Sequence, residues 1–378
     1  MSFVLTHLGI VSALGVGADE TERRLFAGDT SGMKRVTGLT EGGSTLFGFA
    51  PLSEAEFAAA PTRIGALLDA AMRQIEPNLA ALYREVSPSR VGAVIGTSNS
   101  TMEEFTDNPD KIDMAYPATR LVEKWGVKGP AWSVSTACSS GVKVFASARR
   151  LIAADICDAV IVGGADAYTR TVVEGFHSLE ALSENLTRPL CPDRCGITLG
   201  EGAAVFILRK GGEGVRLLGV GESSDAHHLT APDPEGVGAE AAMRAALADA
   251  QIAPGDVGYI NLHGTGTVYN DSMECAAVRR VFGAQTPCSS TKPLTGHVLG
   301  AAGAIEAALC VITLRRGKGL PPHCASPVDA ELAPFPVARP GNTLEANVIL
   351  SNSFAFGGSN ASLVLSAIPW RSVSRAAG

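Results

Sequence analysis

One cysteine and two histidines stand apart in this chain by the company they keep. Cys138 follows the run Ala131-Trp132-Ser133-Val134-Ser135-Thr136-Ala137 and precedes Ser139-Ser140-Gly141-Val142-Lys143-Val144-Phe145-Ala146. The first run is apolar and strand-prone, and the second reads as a helix start. That places the sulfur at a helix N-terminus, where unpaired N–H groups and the positive end of the dipole favour thiolate over thiol. His263 lies in Asn261-Leu262-His263-Gly264-Thr265-Gly266-Thr267, and His297 closes Ser290-Thr291-Lys292-Pro293-Leu294-Thr295-Gly296-His297. A cysteine most often ends as a small buried residue. Here small neighbours leave the sulfur open to a bulky substrate, and a nucleophilic cysteine beside two histidines points to carbon–carbon bond chemistry on a thioester.

Other residues fit around these three. Lys292 lies five positions before His297, and Glu306 nine after it. A buried lysine needs such a carboxylate partner, whereas the alternative is two ordinary surface charges. Leu299-Gly300-Ala301-Ala302-Gly303-Ala304 lets a helix pack close behind His297. Ser351-Asn352-Ser353-Phe354-Ala355-Phe356-Gly357-Gly358-Ser359-Asn360 pairs glycines with aromatics after a strand. It supplies backbone N–H donors near apolar side chains, and it also reads as a tight hairpin between two terminal strands.

Elements must hold these residues together, and the composition limits which. A chain of 378 residues, 46% hydrophobic with 42 glycines and 6% aromatics, fits an α/β protein with many strand-to-helix turns. Strand-length apolar runs alternate with amphipathic stretches, predicting a largely parallel sheet with helices over 64–83, 116–126, 139–154, 237–251, 271–282 and 301–315. Two halves join near Lys210-Gly211-Gly212-Glu213-Gly214. The first, 1–209, carries the cysteine and the second, 210–378, both histidines, which suggests an internal duplication. Residues 31–62 read as a surface loop with a short helix and no function.

Charge and cysteine usage exclude several classes. A net charge of −7 with no Lys/Arg-rich tract argues against nucleic-acid binding. Arg63, Arg149 and Arg150 could form a local basic patch for an acidic partner protein. Eight scattered cysteines without a CxxC pair read as a reduced, cytoplasmic protein. Cys191 and Cys195 lack the second pair that a metal site needs. No apolar run reaches the ~18–20 residues of a membrane helix, and the N-terminus reads as a first strand and turn.

Taken jointly and in this order, the four motifs resemble the β-ketoacyl-[acyl carrier protein] synthases, elongating condensing enzymes of the thiolase superfamily. Gly163-Gly164-Ala165-Asp166, Ala181-Leu182-Ser183, Gly200-Glu201-Gly202-Ala203 and Ser223-Ser224-Asp225-Ala226 extend the resemblance over nearly the whole chain. It implies an α/β fold of two duplicated halves in a five-layered αβαβα sandwich, working as a dimer, with no metal and no cofactor. It also implies that Cys138 holds an acyl group delivered by acyl carrier protein. The N–H groups of Cys138 and Phe356 would form the oxyanion hole, and neutral His263 and His297 would stabilise the enolate of malonyl carrier protein as carbon dioxide leaves. Lys292 and Glu306 match the supporting pair, Thr265 and Thr267 the positions that bond the pantetheine arm, and Phe176, Phe354 and Phe356 those that line or gate the acyl channel.

The departures sharpen the resemblance. Thr97-Ser98-Asn99-Ser100-Thr101-Met102 stands where a Gly-rich run is usual, Arg194-Cys195-Gly196-Ile197 where Arg-Asp-Gly-Phe is common, and Ala355 where many members have glycine. With Gly175-Phe176-His177-Ser178-Leu179-Glu180, they look like the ketosynthases of bacterial aryl polyene clusters, which act in type II polyketide fashion. That implies a heterodimer with a chain-length-factor homologue and polyenoyl substrates, a homodimer being the alternative. Three other readings compete: a housekeeping fatty-acid elongating synthase, a non-decarboxylating thiolase, and a non-enzymatic chain-length factor. His297 speaks against the thiolase, and retention of Cys138 with both histidines against the last.

Overall fold

The computed structural model describes residues 2–332 and 336–367. Residues 1, 333–335 and 368–378 of the two expected halves lie outside the described residues. Ten strands form the main sheet: Phe3–Ser12 (β1), Val91–Gly96 (β2), Ala131–Val134 (β3), Ala159–Asp166 (β4), Gly202–Lys210 (β5), Val215–Ser224 (β6), Tyr259–Asn261 (β7), Cys288–Ser289 (β8), Val348–Phe354 (β9) and Ser359–Ala367 (β10). Their order is β8-β7-β9-β10-β6-β1-β5-β4-β2-β3, and a short arm, Gly15–Val16, pairs with β1.

The sheet is mixed rather than largely parallel. Pairing is parallel at the flanks, between β2 and its neighbours β3 and β4, and between β7 and its neighbours β8 and β9. Between the flanks it is antiparallel. The reason is connection length: β9 and β10 are joined by the four residues 355–358, too few for the crossover a parallel pair needs.

Six helices cover the strands: Arg63–Glu85 (α1), Tyr116–Trp125 (α2), Ser140–Ala153 (α3), Val237–Ala250 (α4), Val268–Phe282 (α5) and Ala302–Arg316 (α6). Helix α1 packs on β1 and β5, α2 on β2 and β3, and α4 on β6 and β10 with α5 beside it. Helices α3 and α6 touch strands of both sheet halves, so the two halves face each other across them and the layers number five. Separate apolar clusters fill the middle layer, the α1 side and the α4–α5 side. Every residue from Ala302 to Leu314 is buried, as expected of a helix apolar on all faces.

Three expectations change. Residues 31–62 carry two strands, Met33–Val36 and Thr45–Gly48, and the second pairs with Leu199–Gly200 in a small sheet. Brevity hides both, and Lys34 and Arg35 further mask the alternation in the first. This sheet is not idle, because Leu199 bridges to His297. The basic patch dissolves: Arg63 grips buried Glu201 through two 2.6 Å bonds, Arg149 pairs with Asp249 at 2.6 Å, and Arg150 with Glu222 at 2.8 Å. Helix α5 starts at Val268, three residues before the predicted position, because the Thr267 hydroxyl accepts from the Asn270 N–H and caps it.

Candidate active site

Strand β3 leads into α3 through a sharp turn. Ala137, just before Cys138, has φ of 51°, a left-handed conformation that costs a non-glycine residue about 1–2 kcal/mol. The Ser140 hydroxyl holds the turn, accepting from the Thr136 N–H at 2.8 Å and donating to the Ala137 carbonyl at 2.6 Å. Cys138 is left 7% exposed at the helix start. The next glycine has a structural reason: a Cβ on Gly141 would lie 2.6 Å from the Ala304 nitrogen and 2.9 Å from the Gly300 carbonyl oxygen. Helix α3 therefore crosses the start of α6 in backbone contact, which brings the cysteine to the segment that follows His297.

The histidines come from loops at the ends of β7 and after β8. Gly264 and Gly266, at φ of 40° and 81°, turn the His263 loop back on itself. Glu274 on α5 fastens that loop, accepting from the N–H groups of His263 and Gly264 at 2.8 and 2.7 Å, and from Asn352 at 3.1 Å. Asp271, one turn earlier, accepts from Gly266 and Leu190 N–H groups at 3.2 and 2.9 Å. The His297 backbone is pinned from both sides, its N–H donating to the Thr198 carbonyl at 2.7 Å and its carbonyl accepting from Gly200 at 3.1 Å. Its Nε2 lies 3.0 Å from the Cys138 sulfur. The two rings meet edge to face, centroids 5.2 Å apart.

Lys292 is fully buried behind them. Its ammonium donates to Glu306 at 2.6 Å and to the His263 carbonyl at 2.5 Å, and sits 3.4 Å from His263 Nδ1. An ammonium can only donate, so that ring nitrogen faces it as an acceptor and the proton of neutral His263 rests on Nε2. Burial, then the Lys292 charge, hold both imidazoles well below the usual histidine range, so both are neutral. The expectation of a resting thiolate changes for the same reason. Burial pushes the Cys138 thiol up to about 12, and the pull of Lys292 offsets only part of it. At rest the sulfur carries its proton.

Cys138, His263 and His297 open into a cavity of about 350 Å³. Thr265, Thr267, Phe176, Phe354 and Phe356 line it as well. Phe176 stacks on Phe356, centroids 5.7 Å apart at 19°, and Thr265 and Thr267 share a hydrogen bond of 3.1 Å. Lys292 and Glu306 lie outside the lining. Among the described residues, no backbone carbonyl outside the helices and strands accepts from the N–H of Cys138 or Phe356. Ala355 is extended, with φ of −119°, a conformation that needs no glycine. The donor atoms of Cys138, His263 and His297 lie within 4.8 Å of one another, and among the described residues no other set has a metal-ligand spacing. Cys191 is buried and Cys195 exposed, apart from any such set.

Sequence reasoning missed the acids that hold this arrangement. Glu274 and Asp271 lie one helical turn apart just after the His263 loop, a spacing that was there to be read. Asp166, quoted only as part of a motif, is fully buried. It accepts from the Thr97 hydroxyl at 2.6 Å, from Ser98 and Asn99 N–H groups at 2.9 and 3.0 Å, and from Ala301 N–H at 3.2 Å. Burial pushes this carboxyl up to about 6. The polar run Thr97-Ser98-Asn99 thus ties β2 to the turn after His297.

Two family models match the chain: the N-terminal domain of β-ketoacyl synthases over residues 45–213, and the C-terminal domain over 215–325. A 3-oxoacyl-[acyl-carrier-protein] synthase 2 from Coxiella burnetii is 33% identical over 97% of this chain and 98% of its own length. Among solved structures, a ketosynthase (ApeO) from Xenorhabdus doucetiae, in complex with its chain length factor (ApeC), superposes with a TM-score of 0.92. It is 39% identical and covers 97% of this chain and 98% of that one. The ishigamide ketosynthase/chain length factor superposes with a TM-score of 0.89 at 28% identity, covering 97% and 99%.

Proposed function

The chain belongs to the β-ketoacyl synthase family, and from that membership we propose that it performs a decarboxylative Claisen condensation on acyl carrier protein thioesters, with Cys138 as nucleophile. One observation carries the assignment of roles: the Cys138 sulfur and the nitrogens of two neutral histidines converge within 4.8 Å on one cavity. His297 Nε2, 3.0 Å from the sulfur, takes the thiol proton as Cys138 attacks the acyl thioester, and returns it to the departing carrier thiolate. The acyl group then rests on sulfur. Malonyl carrier protein enters next, and its thioester carbonyl accepts from His263 Nε2–H and from His297, whose single proton, left on Nδ1 after acylation, has re-equilibrated through solvent to Nε2. Those bonds strengthen as carbon dioxide leaves and the enolate forms. The enolate carbon attacks the acyl-Cys138 carbonyl, whose oxyanion is held by the N–H groups of Cys138 and Phe356. Collapse breaks the C–S bond and releases a 3-oxoacyl carrier two carbons longer. The sulfur regains a proton from solvent.

The acyl chain is a polyenoyl group of an aryl polyene pathway, and the working form is a heterodimer with a chain-length-factor homologue. This rests on the motifs around Phe176 and Phe354 and on the likeness to a ketosynthase solved with its chain length factor. A housekeeping fatty-acid elongating synthase is the second reading, favoured by the name of the C. burnetii relative. The thiolase reading is set aside with the family assignment. Residues 1–209 and 210–378 are the two duplicated halves; the near-mirror strand order about β1 and β6 and the two matched segments support this. No helix among the described residues is long and apolar enough to cross a membrane, and the cytoplasm is the proposed location.

Intact mass spectrometry tests the chemistry. Wild type gains the acyl mass from acyl carrier protein, and Cys138→Ala gains none. His297→Ala keeps part of acylation but loses malonyl decarboxylation at least tenfold more. Acylation that persists in Cys138→Ala ends the proposal. Turnover of saturated against polyenoyl carriers, with native mass of the co-purified complex, separates the two pathway readings.

A further inference from the structure

Lys143 sits one turn into the helix that Cys138 heads, a poor place for a cation, since the helix dipole there favours negative charge. It is half-buried, and burial lowers its pKa. The acid whose charge reaches it, Glu222, is itself paired with Arg150. Its ammonium makes a single side-chain hydrogen bond among the described residues, 2.7 Å to the Ser359 hydroxyl. That hydroxyl lies 2.9 Å from the Ser139 hydroxyl, which in turn lies 2.8 Å from the Thr136 carbonyl and 3.0 Å from the Thr136 hydroxyl.

The ammonium orders this chain. Because it can only donate, Ser359 accepts from it and passes its own proton to Ser139, and Ser139 donates on to the Thr136 carbonyl. Thr136 precedes the nucleophile and Ser139 follows it. Ser359 stands at the foot of the turn that carries Phe356, a turn closed by the Ala355 N–H donating to the Ser359 carbonyl at 2.9 Å. The network therefore stitches together the two segments whose N–H groups, at Cys138 and Phe356, form the oxyanion hole of the reading above, on which this inference rests.

We propose that Lys143 is a positioning residue that acts through Ser359 and Ser139 to set the spacing of the two oxyanion donors. It touches no substrate. Its loss matters only in steps where a tetrahedral oxyanion forms, because loss of one such donor costs on the order of 10²–10³ in rate and a misplaced one costs less.

Lys143→Met keeps an unbranched side chain as far as Cε and removes the ammonium donor. Acyl transfer from acyl carrier protein to Cys138, followed by intact mass, should slow about tenfold through kcat, with KM within about twofold. Alkylation of Cys138 by iodoacetamide forms no oxyanion and should stay within about twofold of wild type. Ser359→Ala breaks the same chain at its centre and should give the same pattern, and the double variant should be no slower than either single one. Alkylation falling in parallel with acylation, or additive losses in the double variant, overturns the proposal, as does unchanged acylation. Failure of the catalytic reading looks different: the wild-type enzyme itself then gains no acyl mass on Cys138.

Discussion

The two sides of the active site are held by different forces. On the nucleophile side the fastenings are hydroxyls, ordered by one half-buried ammonium, Lys143: Ser140 across the turn, and Thr136, Ser139 and Ser359 along its rim. On the histidine side they are buried charges: Lys292 against Glu306, Glu274 under the His263 loop, Asp271 beside it and Asp166 behind the turn after His297. Hydroxyl bonds contribute about 1 kcal/mol each and leave room to adjust. Buried charges are far more costly to disturb. The difference follows the proposed chemistry. The sulfur loses a proton, takes on an acyl group and gives it up, so its surroundings must tolerate change. The histidines need fixed positions, with His263 neutral throughout and His297 neutral except while it carries the thiol proton, and an ammonium wedged behind them serves both ends.

The largest effect should come from breaking the charged side. Lys292→Ala strands the Glu306 carboxylate in the interior, and removal of one partner of a buried pair costs about 3–5 kcal/mol. A large fall in Tm is expected, with loss of malonyl decarboxylation. Replacing both partners, Lys292→Met with Glu306→Leu, should recover most of the Tm and none of the decarboxylation, because His263 then lacks the ammonium that fixes its tautomer. Recovery of both together would show that the pair serves folding alone, and the contrast between the two sides would lose its functional meaning.

A smaller, sharper test concerns the proton on sulfur. The Cys138 thiol lies above its ordinary value because burial disfavours the charged form. The sign is therefore fixed: below about pH 10 only a small fraction is thiolate, and that fraction rises tenfold for each pH unit. Iodoacetamide alkylation of the ligand-free enzyme should keep climbing from pH 6 to pH 10 without a plateau. A plateau beginning near pH 7 would mean that the helix N-terminus outweighs burial after all. The sulfur would then be as charge-defined as the histidine side.

How far the sequence could be read follows the same division. Cys138, His263 and His297 were legible because each sits among small residues that only a close approach explains, and Lys292 because a buried lysine needs a carboxylate partner and the family resemblance supplied one in Glu306. The strand-to-helix turn was legible too, from β-prone residues giving way to Ser-Ser-Gly. The charge state of the sulfur was not, since it depends on how much protein closes over it, which no local pattern encodes. Nor was Asp166 as a fastening, because its backbone N–H partners at Ser98, Asn99 and Ala301 are distant along the chain and lie in turns without periodicity. The strands of 33–36 and 45–48 were hidden by their brevity and by Lys34 and Arg35.

The smallest expected effect lies at Ala137, where the hydroxyl-held side shows whether its looseness is functional. With φ of 51°, alanine pays about 1–2 kcal/mol for this turn. Ala137→Gly removes that strain but frees the unfolded chain, an opposing effect of about 0.4–1 kcal/mol. The two nearly cancel, so Tm should rise by no more than a few degrees. If the turn needs stiffness to aim the sulfur at His297 Nε2, acylation should nevertheless slow severalfold while malonyl decarboxylation, governed by the opposite side, holds steady. Equal slowing of both steps would mean that the two sides move as one body, and that the distinction between their fastenings has no kinetic consequence.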